Sequence, residues 1–380
     1  MERSRVLLIA SYADAGGAEV VVQDILERAD PGRYACTVVC LKDGRWPQAL
    51  RERGYRVTVV PRTRLRDLRN GFGVVSVLRQ IVRQENIDLL HASENSAFLY
   101  ASLAGRSMRR PVVWHIYDPL NPTSALSTRM ASILLSRLRP AHIIYASQLA
   151  IDGTPGFREV ASSMVLPGVN VDRCRAGDGL RGRLALGIPE GNPLVSMFAR
   201  VVPSKGQEDF LDCMARLRDA FPGLYGIICG APAYPNDSYW RHLMSVRSRY
   251  GLEEAVMMPG YVPDELKADI VAGSDVVIHP AHIEAFGLAV AEAMAAGKAV
   301  VASDTDGPHM LIEHGTSGLL FPVGNVPELS DAVSRLLQSP AERARIGERA
   351  SARATEFSVE HMVREVEQVW KGVLEDHSFG

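Results

Sequence analysis

The sequence predicts an α/β protein of two doubly wound, Rossmann-like domains, each a mostly parallel sheet covered by helices on both faces. Three observations lead there: the length, a rhythm of short apolar runs, and a single break in that rhythm. A chain of 380 residues exceeds what one hydrophobic core ordinarily holds, and two domains of ~170–190 residues are the natural division. The runs are apolar at consecutive positions, as strands buried on both faces are. The break is the stretch 165–192, rich in Gly, Pro and charge with no long apolar period, which reads as a linker.

In the first half, residues 5–10 (RVLLIA) give the first strand, because the run is short, apolar and followed by a loop of small residues. A helix from about Ala18 to Ala29 follows, stopped by Asp30-Pro31-Gly32. Further strands are expected at 35–41, 55–60, 87–91, 111–115 and 142–146, with helical stretches between them. After the linker the alternation restarts: strand 194–199, helix 206–220, strand 224–230, helix 238–250, strand 255–258. Helix 264–272, strand 275–279, helix 287–296 and strands 298–302 and 318–321 follow, and Val326 to Leu374 is mainly helical. The expected domains are 1–170 and 171–355, with a final helical segment 356–380. Open parallel sheets bind ligands beyond the carboxyl ends of their strands, so functional residues are expected directly after strands, and a cleft between two such domains is the default site.

Composition narrows the class. With 47% hydrophobic and 23% charged residues the chain can bury a sizeable core. The apolar run before Ser11 is too short for a signal peptide or a membrane span, and no other run approaches ~18 residues, so a soluble cytoplasmic protein is expected. The five cysteines lack metal-ligand spacing and read as buried thiols. A net charge of −2 gives no expectation of a nucleic-acid partner. It conceals an asymmetry, because residues 1–175 hold 24 Lys and Arg against 16 Asp and Glu. Arg62, Arg64, Arg66, Arg69, Arg79 and Arg83 flank an apolar stretch, and such a helix suits either an anionic membrane surface or plain solvation. Only five basic residues are lysines, so a lysine beyond a strand end is informative.

Three segments carry chemistry. Ser11 to Glu19, between the first strand and its helix, contains Gly16-Gly17, which lets backbone N–H groups approach a phosphate at a helix N-terminus. Ala199 to Gly206 follows the first strand of the second half and places Arg200 and Lys205 where a rigid fork and a mobile point charge can neutralise a diphosphate. His279 to Gly297 holds Glu284 and Glu292 around a helix that starts near Gly287. At ~1.5 Å per helical residue, one ligand about 10 Å long can touch both carboxylates, with the N–H groups of Phe286, Gly287 and Leu288 taking a phosphate between them. That helix is otherwise apolar or small, so Glu292 is expected to need partners.

Taken together, Arg200, Lys205, the Gly260-Tyr261-Val262 turn, the Glu284–Glu292 pair within EAFGLAVAEAMAAG, and Gly315 to Pro322 resemble the retaining glycosyltransferases of family 4. The resemblance extends to Gly16-Gly17-Ala18-Glu19 and His115, and so covers essentially the whole chain. It implies the GT-B fold, two Rossmann-like domains facing across a cleft, and a metal-independent, retaining hexosyltransferase of bacterial glycan biosynthesis. The donor is expected to be a UDP- or GDP-sugar, a substrate rather than a cofactor. By similarity Arg200 and Lys205 hold the diphosphate, Glu292 the ribose hydroxyls, and Glu284 and His115 the donor sugar. Gly16, Gly17, Tyr261, Val262, Phe286, Gly287 and Leu288 complete the donor site, and the final helix crosses back to the N-domain. The acceptor is left open between a lipid-linked or envelope glycan, with peripheral contact at the inner membrane face, and a small soluble metabolite.

There are departures and rivals. Pro167-Gly168-Val169-Asn170 stands where the family often has N-G-V-D, and Asp306-Gly307-Pro308-His309-Met310 replaces a Gly-Gly…Glu stretch. Asp304-Thr305-Asp306 spells a metal-binding D-x-D of another glycosyltransferase fold, but follows a strand where family 4 has a loop. His279 and His282 lack a third spaced ligand, which favours cleft hydrogen bonding over metal. A nucleotide-sugar epimerase of the same fold and a non-catalytic nucleotide-sugar-binding or glycan-binding partner are the alternatives. A nicotinamide dehydrogenase fits worse, since no G-x-G-x-x-G follows an early strand.

Overall fold

The computed structural model describes residues 3–11, 17–60, 68–117, 120, 137–232 and 238–378, with the backbone alone for 68–72, 95 and 378. The chain divides into two compact units, Met1–Gly168 with Val359–Gly380, and Val169–Ser358.

The first unit is built from β1 (Ser4–Ala10), α1 (Gly17–Arg28), β2 (Tyr34–Cys40), α2 (Arg45–Glu52), β3 (Val57–Val59), α3 (Leu68–Gln84), β4 (Leu89–Ser93), α4 (Asn95–Met108), β5 (Val112–Ile116), β6 (His142–Tyr145), α5 (Gln148–Asp152) and β7 (Ser162–Met164). Its strands pair in parallel in the order 3-2-1-4-5-6-7. β1 shows why the runs are continuously apolar. Leu7 and Ile9 enter one core with residues of α3 and α4, while Val6, Leu8 and Ala10 enter the opposite core with residues of α1. The sheet is covered on both faces, and the period of two divides one run between them.

The second unit comprises α6 (Val171–Arg175), α7 (Gly179–Ala185), β8 (Leu194–Phe198), α8 (Gln207–Leu217), β9 (Tyr225–Cys229), α9 (Ser238–Arg249), β10 (Val256–Gly260), α10 (Asp264–Gly273), β11 (Val276–His279), α11 (Leu288–Ala295), β12 (Ala299–Ser303), α12 (Asp306–Leu311), β13 (Leu319–Phe321), α13 (Val326–Gln338) and α14 (Pro340–Ala354). Its parallel sheet runs 10-9-8-11-12-13. In each sheet the winding reverses beside the first strand, between β1 and β4 and between β8 and β11, and such reversals are where open α/β sheets hold ligands.

The last helix, α15 (Val359–Ser378), belongs to the first unit. Val359, Met362, Val363, Val366, Trp370 and Val373 form the helical stripe that buries it in the α1 core. Glu367 anchors it further, accepting from the Asp30 N–H at 2.6 Å while its own carbonyl accepts from the Tyr34 hydroxyl at 3.1 Å.

The stretch 165–192 is not the unstructured linker its composition suggests. It contains α6, capped by Asn170 accepting from the Arg173 N–H, and α7, capped by Asp178 accepting from the Leu180 and Arg181 N–H groups. The glycines serve close packing. A Cβ on Gly182 would lie 2.2 Å from the Asp269 carbonyl oxygen of α10, and Gly177 and Gly179 press on the same helix. Arg181 then grips the Asp269 carboxylate with two nitrogens. Gly182→Ala is therefore expected to force α7 off α10 and cost about 1–3 kcal/mol, read as a lower urea midpoint with unchanged far-UV dichroism. An unchanged midpoint would show that the contact yields freely.

None of the five cysteines is in a disulfide, and burial pushes the thiols of Cys36, Cys40, Cys174, Cys213 and Cys229 up to about 12. No helix among the described residues is long and apolar enough to cross a membrane.

Candidate active site

The second unit gathers the predicted residues at its switch point. Arg200 and Lys205 lie on the loop after β8, and Glu284 on the loop after β11, its neighbour in the sheet. The two loops are locked together. The Ser204 carbonyl accepts from the His282 and Ile283 N–H groups at 2.9 and 3.3 Å. Gly206, at φ +73°, passes so close that a Cβ would sit 1.9 Å from the Pro280 carbonyl oxygen. The buried Gln207 side chain donates to the Arg200 carbonyl at 2.8 Å and fixes the loop from behind.

On this frame Lys205 Nζ donates to Glu284 Oε2 at 2.8 Å and to the Ile283 carbonyl at 3.3 Å. His279, the buried last residue of β11, places Nε2 2.9 Å from the same Oε2. Burial alone would raise the Glu284 carboxyl, but the His279 hydrogen bond and the charges of His279 and Lys205 outweigh it and hold the pKa at about 2. Oε1 has no protein partner among the described residues. Arg200 is exposed, and its guanidinium makes no ion pair among the described residues.

Beyond Glu284 the chain enters α11 through Gly287 at φ +91°, a conformation L side chains rarely adopt. The departure at 306–310 keeps the glycine this turn requires. A Cβ on Gly307 would lie 2.3 Å from the Phe286 carbonyl oxygen, and its N–H donates to the Glu284 carbonyl at 3.0 Å. Asp306 starts the short helix α12, which the sequence reading missed.

Glu292 lies on α11 and has the partners its setting demands. Lys267 of α10 pairs with its Oε2, and Arg173 of α6 places Nη2 3.9 Å from Oε1. Burial opposes the Lys267 charge, yet Glu292 beside it raises the pKa overall. The pair opens into a recess lined also by Cys174, Asp264 and Val271. Lys267 was missed in the sequence, although its scarcity as a residue type was a usable signal. Tyr261, at the end of β10, is 67% exposed, and Val262 is half-buried.

The remaining candidates fall elsewhere. Gly17 opens α1 on the first unit, while Gly16 lies outside the described residues. His115 is buried in β5, its ring stacked on Tyr117 at 4.5 Å. Arg62, Arg64 and Arg66 and the Arg69 side chain lie outside the described residues, and Arg79 and Arg83 are exposed on α3. His309 holds Asp304 at 2.7 Å and His282 holds Asp209 at 2.8 Å. Among the described residues no cluster of three His, Cys, Asp or Glu is placed to bind a metal.

Two doubly wound units, with Arg200, Lys205 and Glu284 beyond β8 and β11, have the architecture of the GT-B fold. The family profile "Glycosyl transferases group 1" matches residues 183–353, and "Glycosyltransferase Family 4" matches residues 15–173. The chain belongs to the family 4 type of glycosyltransferase. It is similar to the D-inositol 3-phosphate glycosyltransferase of Nocardia farcinica, 30% identical over 57% of this chain and 47% of that protein. The alpha-D-kanosaminyltransferase of Streptomyces kanamyceticus is 31% identical over 45% of this chain and 42% of that protein. The chain thus spans about half the length of the curated relatives it matches. Among solved structures, Anabaena Alr3699/HepE in complex with UDP and glucose superposes with a TM-score of 0.85 at 26% identity, over 97% of this chain and 100% of that one.

Proposed function

We propose that the protein transfers a sugar from a UDP- or GDP-linked donor to an acceptor, with retention of anomeric configuration and without a metal. The observation that carries this is the Lys205–Glu284–His279 cluster at the switch point beside the exposed Arg200. An ammonium has three donors. Glu284 and the Ile283 carbonyl take two, which leaves one N–H of Lys205 for a phosphate oxygen beside the Arg200 fork. The N–H groups of Phe286, Gly287 and Leu288 add a helix N-terminus, with Gly16 and Gly17 assigned to the same phosphates. Together these neutralise the leaving diphosphate. Glu284, ionised and gripped through Oε2, keeps Oε1 for a sugar hydroxyl. Glu292 is assigned to the ribose, Tyr261 and Val262 to the nucleotide, and His115 to the donor sugar.

The test is a screen of UDP-, GDP- and dTDP-sugars by thermal unfolding. The preferred donor is expected to raise the Tm through preferential binding to the folded state. With that donor, NMR of the product is expected to show the donor's own anomer, in undiminished yield after EDTA. An inverted product would overturn retention, and loss of turnover restored by Mn²⁺ would overturn metal independence. Conversion of the donor sugar without an acceptor would mark an epimerase. For the acceptor, salt-sensitive co-sedimentation with anionic vesicles supports a lipid-linked glycan, and its absence a small soluble metabolite.

A further inference from the structure

Beyond the residues assigned to the donor, we propose that His91 and Trp370 are positioning residues. They fix the tautomer of His115, so that it meets its substrate as an N–H donor and not as a base. This rests on the assignment of His115 to the donor sugar.

His91 of β4 pairs in register with Val113, two residues before His115 on β5, so the histidines are diagonal neighbours on one face of the sheet. That face is covered by α15. Trp370 Nε1 lies 3.0 Å from His91 Nδ1, and His91 Nε2 lies 3.3 Å from His115 Nδ1. All three side chains are buried.

The protons then have one arrangement. An indole nitrogen only donates, so His91 Nδ1 accepts and carries no proton. Burial holds the His91 pKa at about 3, so the ring is neutral near pH 7 and its one proton sits on Nε2. That N–H donates to His115 Nδ1, which is bare in turn. Burial first, and His91 second, keep His115 well below the usual histidine range. It too is neutral, with its proton on Nε2. Stacking on Tyr117, with an interplanar angle of 22°, sets the plane of the ring. Trp370 is held by edge contacts with Tyr34 and His91, at 5.1 and 5.7 Å between centroids. One tryptophan on the last helix thereby sets the polarity of the His115 tip two rings away. In that state Nε2 can donate to a sugar oxygen and has no lone pair with which to take a proton.

The experiment uses the full chain labelled with 15N-histidine, reading tautomers by long-range 1H–15N correlation alongside donor kinetics. In the wild type both His91 and His115 are expected as Nε2–H tautomers. Trp370→Phe keeps an aromatic ring but removes the donor, and is expected to release a Nδ1–H population of His115 and lower kcat/KM by about tenfold. His91→Gln can accept from the indole and donate to His115 through one amide, and is expected to retain the wild-type His115 signals and most of the activity. His91→Leu should retain neither. A charged or Nδ1–H His115 in the wild type, or an unchanged tautomer in a folded Trp370→Phe, overturns the relay. Undiminished transfer by His115→Ala overturns the assignment of His115 to the sugar, while the tautomer result stands apart from it.

Discussion

Lys205→Ala is expected to lower kcat by about three orders of magnitude, with a smaller effect on donor KM. The ammonium matters most as the diphosphate gains charge on leaving, and Lys205 is pre-positioned for that moment by Glu284 at 2.8 Å and the Ile283 carbonyl at 3.3 Å. A cation already oriented need not reorganise in the transition state. Arg200→Ala is expected to act in the same direction, and the double variant to lose less than the two single losses combined, because both cations serve one leaving group. Steady-state kinetics on the four proteins decide this. Near-normal turnover in either single variant would mean that the diphosphate binds elsewhere. Strictly multiplicative losses would mean that the two cations act on separate groups. Since the Lys205 side chain is only 19% exposed, thermal unfolding of each variant should accompany the rates, to separate loss of fold from loss of function.

Glu284→Gln should also cut transfer, by about two orders of magnitude or more, through loss of a charged contact to the sugar. It carries a second signature. With its pKa near 2 instead of the ordinary 4.5, the Glu284 carboxylate stabilises the folded protein by at most about 3 kcal/mol. That contribution is fully present above pH 4.5 and fades as the pH falls toward 2. The glutamine variant is thus expected to melt below the wild type at pH 7, and the gap to narrow steadily between pH 4.5 and 3. A gap independent of pH would assign the loss to packing. A variant as stable as the wild type at pH 7 would mean that the His279 and Lys205 contacts are offset by the cost of burying the carboxylate.

The fold was largely legible because apolar runs buried on both faces of a sheet have no competing reading. Residues 5–10 and 35–41 coincide with Ser4–Ala10 and Tyr34–Cys40 to within a residue. What failed was small-residue sequence. Gly177, Gly179 and Gly182 were read as linker, because glycine chosen for close helix packing looks the same as glycine chosen for freedom. β7, with the sequence SSM and two exposed residues, offers no apolar run at all. In the candidate site, Glu284, Lys205 and Arg200 could be named because each stands directly beyond a strand. Their pairing could not. Nothing between positions 205 and 284 encodes that an ammonium and a carboxylate meet, since that follows from β8 and β11 being sheet neighbours. Lys267 and Trp370 stayed hidden for the same reason, lying 25 and 279 residues from the carboxylate and the imidazole they contact.

The placement of α15 has a consequence for how the protein is made. Val169–Ser358 is one uninterrupted stretch, so it has all its residues once position 358 has cleared the ribosome. The first unit, begun earlier, still lacks the stripe from Val359 to Val373 that seals one face of its sheet. The usual order, in which the N-terminal domain folds first during synthesis, is thereby inverted for full closure. Until then the core that Val6, Leu8 and Val38 share with α1 lacks the side chains α15 brings to it. A released chain that ends at Ser358 is expected to display a protease-sensitive first unit beside a resistant second one. The unit that holds His115 is completed last, by the same helix that carries Trp370.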